Sequence, residues 1–560
     1  MTTDDFDVQR AFVIDNAWRL LGMQDRDRLS PSHGCFHYAY WRDKTSEFPD
    51  ARFQEAGATL GLLSLPEFDT WRGEGGLASS GQCREAFGAA LINWQAQQYP
   101  EGCFDEWYKG ERGFAATEFT MIAYGLAARF LGPLLEPDDR DRLSDVMRRA
   151  GGWLARRHDR VKSNHEAAAA AALALAWDVT GEATFKTAAR AMLDDTLSRQ
   201  TPEGWFPEIG GMDLGYCSVL MDYVMVYTLV SGDDAAIPAM RTLLDFMVPH
   251  LHPDGTIMPE SGLCLNPYVS RLGVGLLSHH DPRAAAIIAT FACSSPGRAG
   301  LLPTLADDLR LARWSYLPIV THLLRPSFAA PSPGLDSLAA CFPEGWTCPR
   351  QAAIAACHRG ETHVYFAPAG GGAVRVYHGA ALVLEDPGVW LITDQGRWGS
   401  GGYDPLRPVL IDGDAVGMTS SLTAPAFVYP GFLARLVLRL GCRWAWSSRL
   451  LRALIDAYRL RRRTAVNQSS APLAKGDETI SLTRTVAVSG SGVRITDTLA
   501  SQDEPRAGSD VEFQLVHRGR RRPLSATGFF RKVRFVKELS SDDGELHTEA
   551  LILDPRPPVE

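Results

Sequence analysis

Apolar residues recur three and four positions apart through a run of alanine- and leucine-rich stretches: "EAFGAALINWQAQQ", "EFTMIAYGLAARFLGPLL", "EAAAAAALALAWDVTG", "ATFKTAARAMLDDTLSRQ" and "CSVLMDYVMVYTLVSG". That spacing puts the apolar side chains of each stretch on one face and predicts a helix. Between them a turn motif repeats. "YPEGCFDEWY" at 99–108, "TPEGWFPEIGGMDLGY" at 201–216 and a looser "HPDGTIMPE" at 252–260 each pair Pro-(Glu/Asp)-Gly with an acid a few residues on. Gly102, Gly204 and Gly255 are therefore equivalent, spaced as two units and then one, with Gly151-Gly152 where the missing copy would fall. A period near fifty residues predicts helix pairs that bury their apolar faces only by stacking on one another, as a solenoid or a ring. The repeated turns then emerge together at one end.

Near residue 330 the pattern changes. "RPSFAAPSPGLDSLAACFPEGWTCPR" is a Pro/Ser/Gly linker. Beyond it lie short alternating or β-branched runs, "THVYFAP", "GAVRVYH", "AALVLEDPGVWLITD", "ETISLTRTVAVSGSGVRITDTLA" and "SDVEFQLVHRG", which predict antiparallel strands at hairpin spacing. One segment interrupts them: 431–463, "GFLARLVLRLGCRWAWSSRLLRALIDAYRLRRR", carries nine arginines against one acid, with Leu, Val and Trp between. A basic amphipathic helix pair of this kind suits an anionic membrane face; it also suits a solvated insertion whose arginines pair with the acidic first domain.

Composition narrows the class. At 560 residues the chain exceeds one core, and 45% apolar with 22% charged is ordinary for a globular protein. Ten cysteines with no CxxC or Cys/His finger argue for a reducing compartment and against structural zinc. The opening residues lack a secretory pattern and no run of eighteen apolar residues occurs, so the expectation is a cytoplasmic chain, peripheral to the inner membrane face if 431–463 docks there. A net charge of −9 speaks against nucleic acid as partner.

The candidate chemistry sits on the turns and on the repeat that lacks one. There the chain reads "RVKSNHEAAAAAALALAW", with Ser163 or Asn164 as a helix cap. An exposed Asn164-His165 pair at a helix N-terminus offers donors and a positive dipole end to a carboxylate; the same residues also read as a cap and a surface histidine. Glu106, Glu208, Asp213 and Glu260 lie on the turns, where an acid can catalyse or merely cap the next helix. Tyr108 and Glu111 in "YKGERGFAATEFT" are placed to hold a sugar, and Arg112 to lower a tyrosine pKa. Among the aromatics, Trp41, Trp107, Trp205 and Tyr403 fall in loops, whereas Trp94 and Trp177 fall inside helical pattern and belong to the core. His37, Tyr38 and Arg42 form a polar-aromatic cluster expected at one wall of a cleft.

Helix-pair repeats, a following antiparallel β domain, Asn164-His165 opening one helix and Tyr216 fifty-one residues after His165 together resemble the heparinase II/III-like and alginate-lyase-like polysaccharide lyases. Within that superfamily the chain resembles members associated with surface-polysaccharide biosynthesis. The resemblance implies an α+β multidomain fold: an incomplete (α/α) toroid over 1–330, a linker over 331–350, and an antiparallel β-sandwich domain over 351–560 with the basic helical insertion at 431–463. It implies that Asn164 and His165 neutralise a uronate carboxylate and that Tyr216, or Tyr223 as alternate, acts at the glycosidic oxygen. The expected substrate is an oligo- or polysaccharide, with no cofactor and no metal. The chain departs from the family's histidine-rich stretch early in the β domain, where "GGGAVRVYHGAALVLEDPG" offers His378 alone; Tyr403 in "DQGRWGSGGYDP" is the other candidate there. A glycoside hydrolase built on the turn acids, a uronate C5-epimerase and a non-catalytic glycan-binding partner of a membrane polysaccharide machine stand as alternatives.

Overall fold

The computed structural model describes residues 4–555 except 72–77, 210, 294–305, 394–395, 401, 424–430, 462–479, 490–491, 502–510, 518–519, 527–529 and 541–545. Helices α1 (Asp5–Asp15), α2 (Ala17–Met23) and α3 (Tyr38–Trp41) lead into α4 (Glu55–Leu63), the first inner helix of a ring. Outer and inner helices then alternate: α5 (Ser80–Gln97) and α6 (Phe114–Leu131), α7 (Pro137–Leu154) and α8 (Ser163–Thr180), α9 (Ala183–Leu197) and α10 (Leu214–Ser231), α11 (Ile237–Met247) and α12 (Leu272–Leu277), then α13 (Pro282–Cys293), α14 (Asp308–Trp314) and the inner α15 (Tyr316–Leu324). Inner helices pack side by side in the order α4, α6, α8, α10, α12, α15, and α15 returns to α4. Sequence dictates the layers. In α7 the buried Leu143, Val146, Met147, Ala150 and Leu154 form one stripe, so that helix stays outside. In α8 every residue from Ser163 to Ala176 is buried, and its alanine run lets inner neighbours approach from both sides. Leu214–Ser231 is the one described helix long and apolar enough to cross a membrane, and it is the buried inner helix α10.

The repeated turns share one geometry. Gly102, Gly204 and Gly255 have φ of +105°, +96° and +80°, a region open to glycine at little cost. In each, the glycine N–H closes a tight turn, onto Tyr99, Thr201 and His252 respectively. A fourth copy, hidden in "DRDRLSPSHGCF", closes Gly34 onto Asp25. A Cβ at Gly34, Gly102 or Gly204 would stand 1.9, 2.1 and 2.7 Å from the carbonyl oxygens of Ala89, Arg149 and Thr242, so each turn is wedged against an outer helix. Gln24, Gln98 and Gln200 pin the wedge by donating to carbonyls of that same helix, Ala86, Val146 and Ala239. Gly151-Gly152 is no missing copy: both lie inside α7, and residues 155–162 form that repeat's loop. Since the inner helices run parallel, these loops and the inner N-termini share one end of the ring.

The β domain is antiparallel throughout. β1 (Gly345–Thr347), β2 (Ala355–Arg359), β3 (Thr362–Ala367), β4 (Ala373–His378) and β5 (Ala381–Asp386) form a meander sheet. β6 (Trp390–Thr393) and β7 (Gly396–Gly399) join β12 (Val511–His517) and β13 (Arg520–Ala526) in a second. The third has the order β15-β14-β11-β10-β9-β8, from β8 (Leu410–Asp412), β9 (Ala415–Ser421), β10 (Ile480–Ser489), β11 (Gly492–Ser501), β14 (Phe530–Ser540) and β15 (Leu546–Pro555). The meander and the six-stranded sheet share one apolar core, including Val364, Val376, Met418, Leu482 and Ile495, so the α+β multidomain expectation of helical toroid and β-sandwich holds. Helices α16 (Phe432–Gly441) and α17 (Ala445–Arg461) stand between β9 and β10. The two domains meet across the repeat loops. Tyr365 Oη donates to Leu251 O at 2.8 Å, His358 Nε2 to Pro249 O at 2.9 Å, and Arg375 Nη1 pairs with Glu260 at 2.8 Å.

Candidate active site

The α8 N-terminus sets the site. Lys162 occupies its cap position and makes no side-chain cap bond. The exposed N–H groups of a helix start need acceptors, and here the next repeat supplies them. Ser163 N and Oγ donate to Pro207 O, Asn164 N donates to Glu208 Oε1 at 2.8 Å, and Asn164 Nδ2 donates to Glu208 Oε2 at 2.7 Å. Burial pushes the Glu208 carboxyl up to about 8, against the Asn164 hydrogen bond and with Asp213 adding to the rise. Burial thus favours the protonated form of Glu208.

One repeat on, Asp213 caps α10 by accepting from Tyr216 N at 3.0 Å, which sets Tyr216 in the first turn. Burial raises the Tyr216 hydroxyl far above a free tyrosine, and the neighbouring Cys264, Tyr268, Asp213 and Glu208 add to the rise. Glu208, Asp213, Tyr216 and Cys264 line one small pocket that is partly open to solvent. The β domain contributes Tyr403, whose Oη donates to Met212 O at 2.9 Å. Gly211 makes room for it, since a Cβ there would stand 2.5 Å from that hydroxyl.

Several expected site residues are placed otherwise. Asn164 and His165 are not an exposed pair: both are buried, and Asn164 reaches the pocket through Glu208. His165 Nδ1 lies 3.1 Å from Glu118 Oε1 and 3.4 Å from Asp159 Oδ2, and its ring meets Phe119 edge-on. Tyr223 is buried against Phe119, about two turns along α10 from Tyr216, and is not part of the pocket's lining. Glu106 binds Arg313 Nη1 at 2.9 Å in a buried cluster with Asp50, Arg52 and Glu55; His37, from the predicted cleft wall, accepts from Asp50 N in the same cluster. Glu111 braces its own turn by accepting from Glu106 N and Trp107 N. Arg112 stacks 4.5 Å over Tyr99 and hydrogen-bonds Gly110 O, away from Tyr216. Tyr108 meets Cys442 between α16 and α17. Trp205 is buried, its Nε1 tied to Glu203, which also accepts from Gln351 N and Ala352 N across the domain boundary. His378 ends β4 in the open, paired with Glu361 at 3.2 Å. Of the "DQGRWGSGGYDP" loop, Asp394, Gln395 and Gly401 lie outside the described residues.

Sequence reasoning passed over Glu118, although an acid inside the apolar α6 is a signal in itself; burial holds it well above the usual carboxylate range. His158, Glu166 and Asp195 are spaced to hold a cation, but Arg199 and Arg160 already supply the positive charge there.

No family model matches the chain, and no curated protein matches it by sequence. Solved structures do. Chondroitin AC lyase from Streptomyces coelicolor A3, determined with chondroitin sulphate, superposes with a TM-score of 0.52 at 11% identity over 97% of this chain and 76% of that one. The fold is that of a toroid polysaccharide lyase. Heparinase III matches with a TM-score of 0.44 at 8% identity over 96% of this chain and 99% of that one. A GH127 β-L-arabinofuranosidase from Geobacillus stearothermophilus T6 matches with a TM-score of 0.34 at 11% identity, over 97% of both chains.

Proposed function

We propose that the protein cleaves a uronate-containing glycan by β-elimination in the pocket between Glu208, Asp213 and Tyr216. The observation that carries this reading is the buried Glu208 carboxyl, held on Asn164 at the α8 N-terminus, in one pocket with Tyr216. Elimination removes the C5 proton, forms the C4–C5 double bond and expels O4. Its barrier is the enolate that develops on the uronate carboxylate, and fixed donors lower it. A carboxylic acid kept protonated by burial is such a donor, and Asn164 orients it. Tyr216, protonated across the physiological range, suits the acid that delivers a proton to O4. Asp213 is the other carboxyl on the pocket and takes the base role.

A second reading is supported by the same pair of acids: a glycoside hydrolase with Glu208 as general acid and Asp213 as its partner. Incubation with uronate-containing polysaccharides separates the two. Elimination yields an unsaturated product absorbing in the ultraviolet; hydrolysis yields reducing ends without that absorbance. Glu208→Gln sharpens the test, because an amide still donates to a carboxylate but cannot transfer a proton. Activity retained in Glu208→Gln supports elimination, and complete loss with no ultraviolet-absorbing product in the wild type overturns it.

A further inference from the structure

Helix α16 has no buried residue. Phe432, Leu433, Leu436, Val437 and Leu440 recur at the spacing of one helix face, yet among the described residues they cover nothing; Phe432 is 77% exposed. Trp444 and Trp446 stack at the turn with ring centroids 6.4 Å apart, and Trp446 is 68% exposed. Leu450 and Leu454 carry the stripe along α17, where they too are exposed. Soluble surfaces rarely leave so long an apolar stripe uncovered. Arg435, Arg439, Arg443 and Arg449 run beside it, and Arg439 lies 3.5 Å from the exposed Glu47.

We infer that the α16–α17 hairpin docks the protein on an anionic lipid surface. The apolar stripe with interfacial tryptophans fits the acyl boundary, and the arginines fit the headgroup charge. A second copy is a poor occupant, because each hairpin brings seven arginines against one acid. The hairpin is also seated at a defined place. Ser448 Oγ donates to Gly110 O at 3.0 Å, and a Cβ at Gly110 would stand 2.3 Å from Cys442 O. Gly110 belongs to the loop that opens the inner helix α6, so docking presents the pocket end of the ring, not its opposite end, to the lipid. A glycan growing from or held at a membrane is the substrate geometry this serves. The inference stands whether the pocket eliminates or hydrolyses.

The test uses the full chain and sedimentation with vesicles of phosphatidylcholine alone or with one-third phosphatidylglycerol. Binding is expected on the anionic vesicles at low salt and should be at least tenfold weaker at 1 M salt, where the screening length falls to about 3 Å. Replacing Arg435, Arg439 and Arg443 by Ala should lower partitioning by on the order of a hundredfold, at about fivefold per arginine. Leu433→Ser with Val437→Ser should abolish it with the melting temperature unchanged, since both side chains are exposed. No sedimentation on either vesicle at low salt overturns the inference. So does equal, salt-insensitive binding to both vesicles, and so does a concentration-dependent dimer that the serine variant dissolves while vesicles are ignored.

Discussion

Glu208→Gln isolates one proton and one hydrogen bond. Both carboxyl oxygens accept from Asn164, the backbone N at 2.8 Å and Nδ2 at 2.7 Å. Glutamine offers a single oxygen, so one buried N–H loses its acceptor, at a cost of about 1–3 kcal/mol. The proton acts in the opposite sense as pH rises. Folding lifts the Glu208 pKa from 4.5 to about 8, so between those values the folded chain holds a proton that the unfolded chain has released. Stability therefore falls as pH rises through that window. At 1.36 kcal/mol per unit, the rise from pH 5.5 to 7.5 removes on the order of 3 kcal/mol from the wild type through Glu208 alone, a contribution absent from the glutamine variant. The groups facing Glu208, namely Lys162, Asp159 and Asp213, are common to both proteins. So are the buried Asp50 and Glu55, pushed up to about 6 and about 7. The difference between the two pH slopes is thus the Glu208 contribution. Urea unfolding at pH 5.5 and 7.5 and constant ionic strength reads it directly: the variant should be the weaker protein at pH 5.5, with the gap closing or reversing by pH 7.5. Parallel curves would mean that Glu208 is already ionised at pH 5.5, and the neutral-donor account of the pocket would fall with it.

Tyr216→Phe should fold normally and lose turnover by a factor on the order of a hundred, with Tyr223→Phe, which removes a buried hydroxyl outside the pocket, keeping its rate on the same glycan; full activity in Tyr216→Phe excludes it as the acid. Gly110→Ala should push the hairpin off its seat and speed tryptic cleavage at the α16–α17 arginines, while the ring melts as before; unchanged digestion would show that the seat is not wedged. At the domain seam, burial lowers His250 and His358 to about 4 and holds His252 well below the usual imidazole range. The unfolded chain takes up these protons near 6.5 while the folded chain does not, so each histidine takes stability away as pH falls from 6.5 toward 4, opposite in sign to Glu208; calorimetry should show a smaller loss over that range in His358→Gln than in the wild type, and parallel profiles would refute a neutral His358 at the seam.

What was legible in the sequence was what short-range chemistry dictates. Pro-(Glu/Asp)-Gly marked the turns because the left-handed φ at Gly102, Gly204 and Gly255 leaves a local signature. The fourth turn went unseen because ten residues, not four, separate Gln24 from Gly34. Gly151-Gly152 misled in the opposite way: a glycine pair inside a helix reads as a turn until packing accounts for it, and Gly151 lies where a Cβ would stand 2.9 Å from Phe185. At the site, Asn164 and Tyr216 could be paired by their spacing, but the burial of Asn164 could not be read. The cap that closes over it, Glu208, arrives from forty-four residues away. The same long-range closure moved Glu106 and Trp205 from cleft wall to core, since Arg313 and the Glu203 bridge to the β domain lie outside any local window.

The two ends of the ring differ in how they use glycine. At the pocket end the turns at Gly34, Gly102 and Gly204 are jammed against a neighbouring helix, so a single methyl group collides with backbone. At the opposite end, Gly181 and Gly232 close α8 and α10 with φ of +71° and +69°, and nothing stands within 4 Å of a Cβ at either. An alanine there costs only the left-handed backbone, about 1–2 kcal/mol, and extra chain meets no wall. The far end is therefore where this ring can be cut, lengthened or rejoined: new termini or a grafted domain after Gly181 or Gly232 should leave the pocket end undisturbed, making that face the natural handle for engineering the protein.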